Sequence, residues 1–150
     1  MKIIRDNCPC CGYPTLIPRD HPQMPTFEIC VLCRWQDDGQ TDLDADKVYG
    51  GANGRYSLTE ARANFRKYLV KYSPEADTRL VPENWPEETN IKKALIRLYE
   101  ESKTLSNQNT SDEIWEEILG LENRLDDITR QKVEQVMKLR DGGVTGGRSY

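Results

Sequence analysis

All five cysteines of the chain lie between Cys8 and Cys33, and four of them form two C-x2-C pairs, Cys8 with Cys11 and Cys30 with Cys33. The turn inside such a pair is tight enough to bring both sulfurs to one side, and two pairs complete a tetrahedron around one ion. The intervening chain then has to run out and come back. Residues 13–17 and 26–29 are expected as the outward and returning strands, joined by a Pro-rich turn from Pro18 to Pro25. That arrangement is a four-cysteine zinc ribbon holding a structural Zn2+.

Pro9 and Gly12 bracket the first pair, and Gly12 lets the backbone turn with positive φ so that N–H groups point at sulfur. Cys10, inside the first pair, competes with Cys11 as a ligand, although the adjacent thiols Cys10 and Cys11 bite one ion poorly. His21, in the Pro-rich turn, is a further candidate ligand, against the plainer reading of a solvated loop histidine. Disulfides and a redox C-x-x-C are the competing chemistries. The opening Met1-Lys2-Ile3-Ile4-Arg5 carries no apolar signal segment, so the expected compartment is the reducing cytoplasm. A redox motif would sit beside a βαβ pattern, and none is visible.

At 150 residues the chain has room for one domain, or a small one with an extension. A ribbon of about 35 residues builds too little core for itself, so the ion must supply folding free energy on the order of 10 kcal/mol. The net charge of −4 and pI near 5.1 have the wrong sign for gripping phosphates. The acid is concentrated in two stretches: 36–56 has five Asp against one Lys and one Arg, and 111–127 has seven acids against one Arg. Asp37, Asp38, Asp42, Asp44, Asp46, Asp112, Glu113, Glu116 and Glu117 are therefore the candidate partner-binding residues. No apolar run approaches the 18 or more residues of a membrane span, so no membrane partner is expected.

After the second pair, Trp35 is expected to cover the small metal-centred fold. Asp42, Asp44 and Asp46 match the opening of a calcium loop, but Lys47 replaces its glycine and Asn53 its closing glutamate, which leaves a solvated acidic loop. Gly50-Gly51-Ala52-Asn53-Gly54 specifies a turn. Ser57-Leu58-Thr59-Glu60 is a capping box opening a helix whose stripe is Leu58, Ala61, Phe65, Tyr68, Leu69 and Tyr72, ended by Ser73-Pro74. Its other face carries Arg62, Arg66, Lys67 and Lys71.

Taken together, Cys8-Pro9-Cys10-Cys11-Gly12-Tyr13, the run from Glu28 through Cys30, Cys33, Trp35, Gln36, Asp37 and Asp38 to Gln40, Gly50-Gly51-Ala52-Asn53, and Ser57 to Phe65 resemble the bacterial cysteine-rich CPCC family. The resemblance covers about residues 7–72. The family is defined by its cysteine-rich domain rather than by an established activity, and some of its members look like cargo of toxin and immunity loci.

Beyond it, Pro82 and Pro86 surround Trp85 in a linker over 74–90, with Trp85 anchoring it. Thr89 or Asn90 is expected to cap a helix through Ile91, Leu95 and Tyr99, which stops near Ser106-Asn109. A capping box at Thr110-x-x-Glu113 opens a second helix through Ile114, Trp115, Ile118, Leu121, Leu125 and Ile128, with Gly120 a candidate kink. The reading is thus α+β: a zinc-ribbon domain with one helix over 1–73, a linker over 74–90, an antiparallel helical hairpin over 91–140, and a mobile Gly-rich tail over 141–150.

Four thiolates close the metal shell, leaving no position to activate water, and His21-Pro22-Gln23 lacks the glutamate of a zinc deaminase. The expected function is non-enzymatic: a zinc-dependent protein-interaction module of immunity type, neutralising a nuclease-type toxin through its acidic surface. The alternative is a nucleic-acid-binding or regulatory zinc ribbon using Arg62, Arg66, Lys67 and Lys71.

Overall fold

The structure is a computed structural model that describes residues 3–77 and 84–147, with side chains as far as Leu139. Among the described residues the fold is α+β, with one two-stranded sheet and three α-helices. Strand β1 (Asp6–Asn7) runs antiparallel to β2 (Pro14–Leu16) across the first cysteine turn, Asp6 opposite Leu16 and Asn7 opposite Pro14. The second cysteine turn closes its own hairpin, with a bridge between Ile29 and Gln36 and bonds from Asp37 N–H to Glu28 O at 2.9 Å and from Phe27 N–H to Asp37 O at 3.0 Å.

This corrects the expected out-and-back pairing of 13–17 with 26–29. Each cysteine pair folds the chain back on itself locally, which closes a short loop at small entropic cost. The segments 14–17 and 26–29 are linked instead by a side chain, with Ile17 N–H donating to the Glu28 carboxylate at 2.5 Å.

Helix α1 (Leu58–Tyr68) starts where its cap predicts, the Ser57 hydroxyl accepting from Glu60 N–H at 3.1 Å. It buries Leu58, Ala61 and Phe65. It ends before the Ser73-Pro74 signal, because Leu69 turns left-handed (φ 59°) as the C-cap. The early stop lets Lys71 N–H reach the carbonyl of Cys33 at 2.8 Å, while Asn64 Nδ2 holds the Lys71 carbonyl at 2.9 Å. A tertiary bond here outweighs further helix.

Helix α2 (Pro86–Thr104) also begins earlier than Thr89 or Asn90 suggests. Pro86 occupies the first helical position, where its missing N–H costs nothing, and Glu88 accepts from the Trp85 N–H at 2.8 Å. A three-residue loop leads to α3 (Gln108–Gly147), whose cap is Asn107 rather than Thr110: its Oδ1 accepts from Asn109 N–H at 2.9 Å. The two helices pack side by side as the expected hairpin. Helix α3 passes through Gly120 without interruption and its backbone stays helical over 141–147, where a tail was expected. Extending a helix already nucleated costs little per residue. Residues 78–83, in the expected linker, and 148–150 lie outside the described residues.

One buried cluster joins the two ends of the chain. Cys8, Cys30, Cys33, Leu32 and Trp35 share it with Leu58 and Phe65 of α1, Ile91, Leu95, Leu98 and Tyr99 of α2, and Ile118, Leu125 and Ile128 of α3. Among the described residues, no helix is long and apolar enough to cross a membrane. Leu95→Ala, at a fully buried position of α2, is expected to cost about 3 kcal/mol in urea unfolding followed by far-UV circular dichroism.

Candidate metal centre

The two cysteine turns have the same backbone geometry. In the first, Cys8 N–H donates to Tyr13 O at 2.9 Å and Gly12 N–H to Cys8 O at 2.8 Å; in the second, Cys30 N–H donates to Trp35 O at 2.9 Å and Arg34 N–H to Cys30 O at 2.9 Å. The residue after each second cysteine is left-handed, Gly12 at φ 82° and Arg34 at φ 72°. Glycine takes that conformation freely, whereas Arg34 holds it at a cost of about 1 kcal/mol. In the second turn the Cys33 and Trp35 N–H groups each approach a sulfur at 3.5 Å.

These turns face one another so that the Sγ atoms of Cys8, Cys11, Cys30 and Cys33 all lie within 4.8 Å of one another. Cys8 and Cys33 are 3.5 Å apart, Cys11 and Cys30 3.8 Å, and none of the five cysteines is bonded to another. Among the described residues this is the one group of three or more histidine, cysteine or acidic ligands that converges. Cys10 is buried but outside the group, and His21 is exposed in its loop with Nδ1 accepting from Gln23 N–H.

Burial pushes the Cys11 and Cys33 thiols well above their ordinary range. At Cys30 burial acts the same way, but hydrogen bonds from Cys11, Cys33 and Cys8 outweigh it and hold Cys30 low. A bound cation would stabilise all four sulfurs together in the thiolate form. The donor set suits a soft-to-borderline metal held in a closed shell.

The surroundings are as specific as the ligands. Thr15 Oγ1 lies 3.0 Å from Cys30 Sγ. Trp35 is fully buried on the cluster, as its position after the turn predicts. Tyr13 stacks on Tyr99 of α2 with ring centroids 5.5 Å apart, and the Tyr99 hydroxyl donates to Glu122 of α3 at 2.5 Å. Arg5 forks onto the same carboxylate at 2.7 and 2.9 Å. Lys92 of α2 is 2% exposed, and burial lowers its ammonium to about 8 against the pull of Glu88, Cys33 and Cys30.

The acidic candidates divide. Asp37 is 1% exposed and forks onto Arg19, while accepting from Thr26 N–H at 3.1 Å; Asp38 accepts from Gln40 N–H and Asn53 Nδ2, each at 3.1 Å. Both carboxylates hold the loop together. Asp42 pairs with Arg62 at 2.6 Å, Asp44 accepts from Tyr49 and from Thr41 N–H, and Asp46 accepts from Thr59 at 2.6 Å, yet Asp42 and Asp46 remain exposed. Asp112 accepts from Gln108 at 2.9 Å, and Glu113, Glu116 and Glu117 are exposed on α3. Of the four basic residues Arg66 and Lys67 are exposed; Arg62 is half-buried and donates to Pro9 O at 2.9 Å, and Lys71 lies beyond α1, buried, with Nζ on Ala52 O at 2.9 Å.

Asn53 has the largest role that sequence reasoning missed. Its amide pairs both backbone groups of Gln36, accepting at 2.8 Å and donating at 2.9 Å, and so stands in for a strand beside the second hairpin. The clue is the glycines on either side: Gly50, Gly51 and Gly54 all have positive φ and fold the loop tightly enough to insert it.

Two closely matched cysteine hairpins converging on one sulfur cluster, inside a helical cover, define a small α+β cysteine-cluster protein. The sequence profile of the cysteine-rich CPCC family matches residues 6–82, just over half of the chain, and the chain belongs to that family. No curated protein and no solved structure matches the chain.

The Asp37–Arg19 pair yields a pH prediction. Asp37 is buried, yet bonds from Arg19 and Thr26 hold its carboxyl below the ordinary value of 3.8. Its stabilising contribution is complete above that value and is lost as pH falls below it. Asp37→Ala is expected to cost about 2–3 kcal/mol at pH 7, with the difference from wild type shrinking in acid, as measured by urea titrations across pH.

Proposed function

We propose that the four-cysteine cluster binds one structural Zn2+ and that the protein is a non-enzymatic, zinc-dependent interaction module. The single observation behind the metal reading is the sulfur geometry. Four ligands about 2.3 Å from one zinc ion stand about 3.8 Å apart in a tetrahedron; Cys8–Cys33 at 3.5 Å and Cys11–Cys30 at 3.8 Å fall close to that value, and all four sulfurs lie within 4.8 Å of one another. A shell of four thiolates leaves no coordination position for water or substrate, so the ion acts as scaffold. Thiols that must stay reduced suit a cytoplasmic setting.

Purified under reducing conditions, the chain is expected to carry one zinc per molecule by elemental analysis. Cys11→Ser should lose the ion and Cys10→Ser keep it. A stoichiometry well below one, or retention of zinc by Cys11→Ser, overturns the assignment.

For the partner, the acidic loop supports an immunity-type reading, in which a basic nuclease toxin is bound and neutralised. Leu43 is 99% exposed, on a short 3-10 turn whose cap Thr41 accepts from Leu43 N–H and whose Asp44 returns to Thr41 N–H at 2.8 Å. Gln40 fixes the loop by donating to the Asp44 and Lys47 carbonyls at 2.9 and 2.6 Å. A pre-shaped apolar tip between the exposed carboxylates of Asp42 and Asp46 suits a cationic cleft. The net charge and the burial of Lys71 weigh against the nucleic-acid alternative.

Binding to the product of the adjacent gene tests this reading. Leu43→Ala is expected to weaken the complex by about 1–2 kcal/mol, about tenfold, without changing thermal stability. A neighbour that is neither toxic nor bound counts against it.

A further inference from the structure

Lys92 sits in the second turn of α2, outside the region matched by the family profile, and is buried. Its Nζ donates to two uncharged oxygens, Leu69 O at 2.7 Å and Asn84 Oδ1 at 2.8 Å. Glu88, one turn earlier on the same helix, commits Oε1 to Lys132 Nζ at 2.7 Å and to Trp85 N–H at 2.8 Å. Among the described residues no carboxylate is hydrogen-bonded to this deeply buried ammonium, a costly arrangement unless negative charge lies nearby. Burial lowers the ammonium, and Glu88 and, where ionised, the Cys33 and Cys30 sulfurs pull the other way.

Four thiolates around one divalent ion carry two net negative charges in a dry interior, and such a centre needs positive charge around it. We infer that Lys92 supplies that charge, acting as a positioning residue for the metal–thiolate centre and making the C-terminal hairpin part of the metal site. The backbone provides the mechanical half of the link. Lys92 holds the carbonyl of Leu69, and two residues on, Lys71 N–H holds the carbonyl of the ligand Cys33 at 2.8 Å. Loading of the ion and seating of α2 then favour one another, and each raises the affinity of the other by the same factor. This rests on the zinc reading above.

The test uses the full chain, with Zn2+ affinity measured by competition with a chromophoric chelator. Lys92→Gln keeps an N–H donor but removes the charge, and is expected to bind zinc about tenfold or more weakly, whereas Lys92→Arg retains wild-type affinity. With Co2+ in place of zinc, Lys92→Gln should move the thiolate-to-metal charge-transfer band to longer wavelength, because the sulfur electrons are no longer held by a neighbouring cation. Leu95→Ala, which loosens the hairpin without touching charge, should leave the band in place. In the wild type, amide exchange in α2 should slow when zinc is added. Unchanged affinity and an unmoved band in Lys92→Gln overturn the inference. Should that variant not fold, exchange in wild-type α2 decides alone, and equal rates with and without zinc overturn it. A wild type that takes up no zinc overturns the zinc reading itself.

Discussion

Crowding four thiols into the space of one ion is the constraint that shapes this fold. Buried sulfurs resist ionisation, and the cluster forms only because two matching hairpins aim their cysteines at one point. Regular secondary structure is short around it, two residues in β1 and three in β2, because the backbone there is committed to turning rather than to pairing. A cysteine-centred region this small has little core of its own. The remainder of the molecule provides one, with residues of α1, α2 and α3 joining the cysteines in a single buried cluster.

The chain beyond the family match is therefore a cover for the cysteine cluster. Tyr99 makes the contact in two ways: its ring stacks on Tyr13 and its hydroxyl donates to Glu122, the carboxylate that also receives the fork of Arg5. Burial, followed by the charge of Glu122, pushes the Tyr99 hydroxyl up, so it remains a hydrogen-bond donor. Arg5 precedes β1, Tyr99 lies on α2 and Glu122 on α3, and none of them carries a recognisable motif.

What could be read in advance was local chemistry. The spacing of Cys8, Cys11, Cys30 and Cys33 anticipated which sulfurs would meet, and the Ser57 cap and apolar stripe placed the start and buried face of α1. Apolar periodicity likewise put Ile118, Leu125 and Ile128 on the inner face of α3. What could not be read were the places where a distant partner overrides a local signal. Helix α1 stops at Tyr68 because Cys33 needs the N–H of Lys71. The acidic loop looked like one solvated surface, but Asp37 and Asp38 are held inside by Arg19 and Asn53, partners 18 and 15 residues away. Pro86 and Glu88 carried a legible helix start, masked by a tryptophan in the capping position.

The amide of Asn53 has a consequence for how these molecules behave in a crowd. A short hairpin ordinarily leaves free N–H and carbonyl groups along its rim, an invitation for another chain to add a strand. Here the donor and acceptor of Gln36 are already taken by a side chain too small to offer a rim of its own. The hairpin is thereby sealed against self-association at that point without any further strand, and the glycine-lined loop that delivers the amide serves as its stopper.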